Sequence, residues 1–391
     1  MVDTDKASLD SPPGEPAATA HISPQELNPL LSQRLSQLHD QMLEQVPCVD
    51  RIACVLYDED TDGLKTFVNS TRRGEAIQGY EFPLKESPSL SALAASGARR
   101  VINEIEAAVQ PTSPHSSWLL EQGYRSSLTV PLTDQGHFIG FVFYDSCQPA
   151  AFTPPVERNL ALFSQLINMM ISSEFAAVRA ILASAKVARD FADLRDFETG
   201  AHLNRMAHYT RLIAREVAPL HGLDDEFIEH VFLFAPLHDI GKIGIPDRIL
   251  LKPGKLDPEE RRVMETHVDL GLSIINKMLG EFSLRDLPDS DVLRAVVGGH
   301  HEQLDGSGYP RGLRGEQVPL AARIVAVADV FDALTSQRPY KPAWSVAEAC
   351  AELDRLVAAG KLDGDCVAAI KRYAEEMASI GARHQDGPPE G

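Results

Sequence analysis

The chain has few of the features that mark secreted or membrane-spanning proteins. Five cysteines occur among 391 residues, none of them in a Cys-x-x-Cys pair, a pattern that suits a reducing cytosol better than a disulfide framework. No uninterrupted apolar run reaches the ~18 residues of a membrane span. The first twenty residues are acidic and rich in Pro, Ala and Ser, without the apolar segment of a secretory signal. We therefore predict a cytoplasmic protein outside any membrane, with a disordered leader over 1–24.

Positive charge is also scarce. The chain has 37 Lys and Arg against 56 Asp and Glu, a formal net charge of −19. Such a balance argues against a general polyanion-binding surface, so no nucleic-acid polymer is expected as a partner. A small anionic substrate remains compatible with this charge if metal ions and a few local cations neutralise it.

Proline and glycine are absent from residues 156–196, where apolar residues recur at helical spacing. This pattern predicts one long helix that connects two domains. Two interpretations stay open at this point. The helix pairs with its counterpart in a homodimer, or it is broken and packs on its own domain.

The first part of the chain, over residues 25–175, mixes helical periodicity with strand-like alternation. Leucines at intervals of three and four residues predict a helix from about Pro24. A polar turn at 133–136 between two strand-like segments predicts a β-hairpin, and Pro154-Pro155 opens a further helix. The predicted strands are 51–57, 65–68, 126–132 and 137–144, and a short helix is predicted over 91–96.

This order of elements, with the hairpin SLTVPL…IGFVF and the FTPPVERNLALFSQL entry to the last helix, resembles a GAF-type α+β sensor domain. The resemblance implies a ligand whose identity is unknown. The Asn-Lys…Phe…Asp-Glu signature of the cyclic-nucleotide-binding members is missing, which argues against a nucleotide. Cys147 is interpreted as a structural thiol, with chromophore attachment as the alternative.

The second part of the chain carries imidazoles and carboxylates in a helical sequence. Glu198 and His202 are four residues apart, so a helix would present both on one face. Adjacent His238 and Asp239 diverge by about 100° on a helix, and a carboxylate in that position can bridge two metals while the imidazole binds one. Lys242 follows His238 by four residues and can hold a phosphate oxygen or a leaving group.

Further ligand types recur downstream. His267 is predicted on a helix that starts at Asp257, and His300-His301 follows two glycines. Asp329 lies in an apolar helical run, where an unpaired carboxylate is costly unless it is coordinated. Together these residues predict a multi-metal hydrolytic site. Three histidines without such a context are interpreted as structural: His208, His221 and His230.

Residues 185–377 are identified as a member of the HD-GYP branch of the HD phosphohydrolases, because both signatures are complete and in order. The resemblance implies an all-α helical bundle, so the fold class is multidomain: a GAF-like α+β domain, a connecting helix and this bundle. The tail over 378–391 is predicted to be disordered. The motifs are ETGAH at 198–202, HDIGKIGIPD at 238–247, His267, HHEQLDGSGYP at 300–310, ARIVAVADVFDALT at 322–335 and RPYK at 338–341.

The resemblance also implies a cyclic-di-GMP phosphodiesterase with two or three divalent metal ions, iron or manganese. A hydroxide generated from a metal-activated water would attack phosphorus, giving the linear dinucleotide pGpG and then GMP. The implied catalytic residues are Asp239, as the metal bridge, and Lys242, which stabilises developing charge. The implied metal ligands are Glu198, His202, His238, Asp239, His267, His300, His301 and Asp329, the first two marking the members with a third metal.

Substrate contacts follow from the same resemblance, and alternatives to catalysis stay open. The glycine-rich loop either contacts the substrate or partner proteins, or is a structural turn. The whole domain could instead be a non-catalytic cyclic-di-GMP effector, or could hydrolyse another cyclic dinucleotide such as cyclic GMP-AMP. The implied substrate-binding residues are Lys242, Gly308, Tyr309, Pro310, Arg338 and Lys341.

Overall fold

The computed structural model describes residues 30–109, 114–192, 200–281, 290–337 and 343–385. An antiparallel sheet with helices comes first, and a helical bundle follows it. This order confirms the predicted fold class. The predicted leader over 1–24 lies outside the described residues.

The first domain is built on six antiparallel strands in the order β3-β2-β1-β6-β5-β4. The hairpin β5–β6 turns at Gln135 and Gly136, both with positive φ (50° and 86°), the conformation that tight hairpin turns require. It falls at the predicted polar turn. The strands are β1 (Arg51–Asp58), β2 (Gly63–Thr71), β3 (Glu81–Pro83), β4 (Arg100–Ile102), β5 (Ser126–Asp134) and β6 (His137–Ser146).

Helices cover both faces of this sheet. Leu31 and Leu35 of the first helix pack with Phe163 and Ile167 of the fifth helix in one core cluster. Three shorter helices lie between β3 and β5 along the chain. The helices are α1 (Leu31–Leu43), α2 (Pro88–Ser96), α3 (Ile105–Ala108), α4 (Pro114–Glu121) and α5 (Pro154–Ala192).

The predicted connecting helix is α5, one unbroken helix of 39 residues. Ile171 belongs to the core of the sheet domain, whereas Val178 and Ile181 belong to the core of the bundle. The helix is therefore unbroken, as in the first interpretation, and it packs on its own chain, as in the second. Its segment Pro154–Ser184 is long and apolar enough to cross a membrane by length and composition, although its buried residues face these two cores. The predicted residues 193–196 lie outside the described part.

The second domain has helices joined by loops, and the strand-type pairing in its described part is an isolated bridge between Asp305 and Arg314. Helices α6, α7, α11 and α12 contribute apolar faces to its core, which also takes in residues of α5, α10, α13, α14 and α15. The α-helices are α6 (Gly200–Val217), α7 (Asp225–Phe234), α8 (Asp247–Leu250), α9 (Pro258–Glu265), α10 (His267–Glu281), α11 (Ser290–Gly299), α12 (Leu320–Thr335), α13 (Val346–Ala358), α14 (Gly364–Arg372) and α15 (Ala374–Arg383).

Two expectations need correction. The helix capped by Asp257 ends at Glu265, and His267 begins the next helix rather than continuing that one. The tail was predicted to be disordered from residue 378, yet α15 continues to Arg383. The reason is that Ile380 packs in the bundle core, so the last helix has a buried apolar face. The local sequence did not indicate this face.

The two domains share buried polar contacts. Glu226 on α7 accepts hydrogen bonds from the backbone N–H groups of Leu31 (2.8 Å) and Ser32 (3.0 Å) at the start of α1. Asp225 accepts another from Gly79 N at 2.8 Å. A carboxylate from the bundle thus satisfies the open N-terminus of the first helix of the sheet domain.

Candidate metal centre

Asp239 lies at the centre of the histidine cluster. It separates two short 3₁₀ turns, Ala235–Leu237 and Ile240–Gly244, so the expected α-helical geometry around the His-Asp pair was wrong. The break brings the adjacent side chains together instead of letting them diverge: His238 Nε2 is 3.1 Å from Asp239 Oδ2. On its other side, Asp239 Oδ1 is 3.0 Å from His267 Nε2.

Backbone carbonyl groups fix the rings of three histidines. His238 Nδ1 lies 2.9 Å from Ala235 O, and His267 Nδ1 lies 2.8 Å from Met264 O. His300 follows α11, and its Nδ1 contacts the carbonyl oxygens of Val296 and Val297 at 3.1 and 3.2 Å. A donor N–H at Nδ1 leaves the Nε2 lone pair directed into the cluster, which is the tautomer that a metal ligand needs.

The donor atoms form two groups, and in each group they lie within 4.8 Å of one another. His238 and Asp239 are consecutive residues and belong to different groups, so the groups are adjacent. One group consists of Asp239, His267, His300 and His301, and the other of His202, His238 and Asp329.

The chemistry of these groups fits divalent metal ions. Within the described part of the chain, His267 Nε2, His300 Nε2 and Asp239 Oδ1 are buried and make no hydrogen bond. Such atoms are costly to bury unless a ligand satisfies them. Imidazole with carboxylate is a donor set typical of zinc, iron and manganese sites.

Local electrostatics favours the protonation states that metal binding requires. Burial alone would raise the pKa of Asp239, but the Lys242 ammonium and His238 hold it well below its usual range. Lys242 Nζ is 2.7 Å from Asp239 Oδ2. Burial lowers the pKa of His300 and lowers that of His301 to about 2. The carboxylate is therefore ionised and these imidazoles are neutral near neutral pH.

Close packing explains the glycine beside the His-Asp pair. A Cβ on Gly241 would lie 1.8 Å from His267 O and 2.4 Å from Gly271 N. Only glycine lets the turn that carries Asp239 lie directly on α10, which carries His267. The HDIGK spacing thus reflects packing as well as chemistry.

Asp332 is a site residue that the sequence reasoning missed. Its Oδ2 is 2.7 Å from His202 Nδ1, and its Oδ1 accepts a 2.6 Å hydrogen bond from Arg205 Nε. Burial opposes ionisation, yet the hydrogen bonds from His202 and Arg205 lower the pKa of Asp332 to about 2. It orients His202 as a carboxylate behind a metal-binding imidazole does. Its position in the same apolar helix as Asp329 was the signal that could have revealed it.

The glycine-rich loop lies against the cluster. The ring of Tyr309 stacks on His301 with centroids 4.7 Å apart and an interplanar angle of 26°. Glu302, to which the sequence motif assigned no role, is buried and accepts hydrogen bonds from the backbone N–H groups of Arg311 and Leu313 at 2.8 and 2.9 Å. A Cβ on Gly308 would lie 2.3 Å from Gln303 N, so the loop is folded tightly over the end of α11.

The remaining candidates divide into two sets. His208 is buried and stacks on His384 at 5.2 Å, and His230 stacks on Phe234 at 5.6 Å, both outside the two donor groups. His221 is exposed at the end of a 3₁₀ turn. Three predicted site residues lie outside the described residues: Glu198, Arg338 and Lys341.

Both domains match known protein families. Residues 32–171 match the GAF domain family, and residues 186–366 match the HD domain family. The chain therefore contains a GAF domain followed by an HD domain.

Curated relatives match mainly the HD part. The chain is 44% identical over 189 residues to the cyclic di-GMP phosphodiesterase response regulator RpfG of Xanthomonas campestris, covering 48% of this chain and 47% of the relative. It is 40% identical over 195 residues to a cyclic di-GMP phosphodiesterase of Thermotoga maritima, covering 50% of each. It is 39% identical over 187 residues to 3′3′-cGAMP-specific phosphodiesterase 2 of Vibrio cholerae, covering 48% and 33%. The chain thus spans about half or less of the length of these relatives.

Proposed function

We propose that this protein is a metal-dependent phosphodiesterase that hydrolyses cyclic-di-GMP to pGpG and on to GMP. The observation that carries the proposal is the pair of adjacent donor groups that meet at His238 and Asp239. Two adjacent groups of this kind suit a site that holds two ions beside one phosphodiester. The names of the relatives from Xanthomonas campestris and Thermotoga maritima support cyclic-di-GMP as the substrate.

The two donor groups would hold the ions, with Asp239 as the bridge between them. We assign the described ligands His202, His238, Asp239, His267, His300, His301 and Asp329, and we assign Glu198 by motif. Bound divalent ions, iron or manganese, would lower the pKa of a water molecule and polarise the phosphodiester.

The side chains of the chain itself supply orientation and charge. The Lys242 ammonium, 24% exposed beside Asp239, can contact a non-bridging phosphate oxygen and stabilise the charge that develops there. The ring of Tyr309 stacks on His301 and would exclude water from that face of the imidazole. We propose that Gly308, Tyr309 and Pro310 contact the substrate, and that Arg338 and Lys341 bind its phosphates.

A second candidate substrate is cyclic GMP-AMP. The Vibrio cholerae relative named as specific for 3′3′-cGAMP is 39% identical over the HD part, close to the value for the cyclic-di-GMP enzymes. Both substrates present the same phosphodiester to the metal centre and differ only in a base. A non-catalytic effector is disfavoured, because every proposed metal ligand among the described residues belongs to one of the two donor groups.

The test uses the full chain, purified without oxygen and loaded separately with iron or manganese. Cyclic-di-GMP, 3′3′-cGAMP and pGpG are offered, and the products are identified by chromatography. We expect cleavage of cyclic-di-GMP to GMP by wild-type protein and by the control His221→Gln, whose side chain is exposed away from the cluster. His267→Gln should be inactive. Metal-loaded wild-type protein that leaves every substrate intact would contradict the proposal.

We further propose a cytoplasmic homodimer that pairs through α5 and is regulated by its GAF domain. Leu162 and Met169 are each 61% exposed and lie two turns apart on this helix, which suits a helix-to-helix contact. Analytical ultracentrifugation should give a dimer for wild-type protein and a monomer for the double variant Leu162→Asp/Met169→Asp. A monomeric wild-type protein would contradict the pairing.

A further inference from the structure

A cavity of about 330 Å³ lies in the GAF domain, far along the chain from the metal centre. Its walls come from one face of the sheet and from α2, α3 and α4. Most of its lining is apolar and includes Val55, Phe82, Leu90 and Phe143. The volume is at the lower end of the roughly 300–1,000 Å³ of ligand pockets. A small, mainly apolar molecule fits these dimensions.

Arg100 gives the cavity its charge. The guanidinium donates to Ser89 Oγ at 2.7 Å and to Thr129 Oγ1 at 3.3 Å, both neutral hydroxyl groups. Its Nε is buried and makes no hydrogen bond, and no carboxylate of the described residues forms an ion pair with it. A half-buried cation without a counter-charge is costly, so an anion bound beside it offsets that cost.

The other ionisable groups of the lining leave this charge uncompensated. Arg51 and Asp145 neutralise each other at 2.5 Å. His115 lies between the rings of Tyr80 and Trp118, with centroids 5.8 and 6.0 Å away. Burial lowers the pKa of His115 to about 4, so it adds no charge near neutral pH. The net excess is one positive charge.

We propose that this cavity binds a small organic acid, with its single carboxylate at Arg100 and its apolar body against the aliphatic and aromatic wall. The assignment concerns the GAF domain and does not depend on the activity of the HD domain. The cavity also differs from a nucleotide site. It offers one cation, Arg100, and a mainly apolar wall, which match a ligand with a single negative charge and an apolar body.

Binding is tested with phenylacetate and hexanoate, and with phenylacetamide as the neutral match. The full chain carries Trp344→Phe, which leaves Trp118, adjacent to His115, as the only tryptophan. Tryptophan fluorescence and titration calorimetry should show saturable binding of at least one carboxylate and at least tenfold weaker binding of the amide. Arg100→Gln should abolish that tenfold preference.

The matched control is Arg158→Gln, which removes an exposed arginine of the same domain. It should bind the carboxylate like wild-type protein. Equal affinity for acid and amide, an unchanged preference in Arg100→Gln, or no binding of either carboxylate would each overturn the proposal.

A second proposal rests on a different observation, the ion pairs between the GAF sheet and α6. Arg211 is 7% exposed and donates from Nε to Glu81 Oε1 of β3 at 2.8 Å. Its Nη1 also pairs with Glu229 of α7, and Arg215 lies 3.3 Å from the other oxygen of Glu81. The edge strand of the GAF domain thus holds two arginines of one bundle helix.

The same helix carries part of the metal centre. His202 precedes Arg211 by nine residues on α6, which is about 14 Å along a helix axis. We infer that Glu81 is a positioning residue for His202. By holding Arg211 and Arg215, it fixes the rotation of α6 and therefore the distance between His202 and Asp332 of α12. This inference rests on the proposed metal centre.

The test measures Mn²⁺ binding to metal-free full-length protein by calorimetry, independently of turnover. Glu81→Gln should weaken Mn²⁺ binding at the weaker site about tenfold relative to wild-type protein. Glu81→Asp, which keeps the carboxylate, should have a smaller effect. The control is Arg372→Gln, which removes the exposed partner of Glu216 on the same helix and should leave Mn²⁺ affinity unchanged.

Two results would overturn this inference, and they are distinguishable. If Glu81→Gln lowers thermal stability but binds Mn²⁺ like wild-type protein, Glu81 is structural only. If wild-type protein takes up no Mn²⁺ or other divalent ion, the metal centre itself fails together with this inference.

Discussion

The GAF sheet and the HD bundle each bury a group of charged side chains, and the two groups are built in opposite ways. In the sheet, Arg51 and Asp145 are 2% and 1% exposed, form a 2.5 Å ion pair, and Arg51 lies over the Trp118 ring at 4.6 Å. In the bundle, Asp239 and its histidines direct donor atoms towards one another. The closed pair neutralises its own charge, whereas the open cluster keeps its lone pairs for a ligand. Substitutions should therefore cost stability in the first and function in the second.

The largest effect is expected at the closed pair. Asp145→Asn leaves Arg51 buried without its counter-charge and should lower the free energy of unfolding by about 3–5 kcal/mol. The folded fraction should keep its metal content. Urea unfolding measures the loss, and the double variant Arg51→Met/Asp145→Leu should recover most of it. A double variant as unstable as the single one would contradict the account of this pair.

The corresponding change in the open cluster should have the reverse profile. Asp239→Asn keeps the shape of the side chain but removes the negative charge of one donor group, beside His238 of the other group. Hydrolysis should fall more than about 100-fold, since loss of even an indirect partner of a ligand costs 10–100-fold. The free energy of unfolding of metal-free protein should fall by less than in Asp145→Asn, because the Lys242 ammonium beside Asp239 is 24% exposed and water can solvate it, whereas Arg51 is 2% exposed. Initial rates and urea unfolding measure the two quantities, and a large stability loss with activity retained would break the comparison.

Asp332 should have an intermediate effect, because it acts through His202. Asp332→Asn should lower metal affinity about 10–100-fold without removing a ligand. Metal titration of the purified variant measures this change. Its control is Asp354→Asn, which breaks an exposed ion pair with Lys371. Equal affinities in both variants would mean that Asp332 does not orient His202.

Acid should destabilise both domains through buried neutral histidines. Burial lowers the pKa of His115, His208 and His230 to about 4, whereas an unfolded chain protonates them near 6.5. Between pH 6.5 and 4 the unfolded state therefore binds more protons, so stability falls as pH falls. The slope is on the order of 1 kcal/mol per pH unit for each histidine. Urea unfolding of His115→Gln and His230→Gln at several pH values should show flatter profiles.

The smallest effect is expected at the surface. Arg372 pairs with Glu216, but its side chain is 66% exposed. Arg372→Gln should change the free energy of unfolding by no more than about 0.5 kcal/mol, because solvent screens such a pair. A loss of several kcal/mol in urea unfolding would show that an exposed ion pair stabilises this protein as much as a buried one.

Local patterns predicted much of the fold. The absence of proline and glycine after Pro155 predicted a long helix, and the structure has one from Pro154 to Ala192. The turn before His137 predicted a hairpin, which is present. The end of the chain was predicted less well, because α15 is stabilised by contacts of Ile380 with the bundle core rather than by its own sequence.

The candidate site was predicted in its residue types but not in its grouping. Most of the described candidates fall in one of the two donor groups. The helical geometry assumed around His238 was wrong, since His238 and Asp239 lie between two 3₁₀ turns. Asp332 was missed because its partner His202 is 130 residues away in sequence, and no local pattern reports such a contact.

The sequence by itself determined the order of the two domains and the chemistry available to the second. Periodicity, caps and motif spacing act over a few residues, and they are written in the chain. Only the tertiary structure decided which donor atoms lie together and that Glu226 closes the N-terminus of a helix 195 residues earlier. It also decided that Arg100 has no ion-pair partner among the described residues. These properties arise from packing between distant segments, where burial sets the energy of every charge.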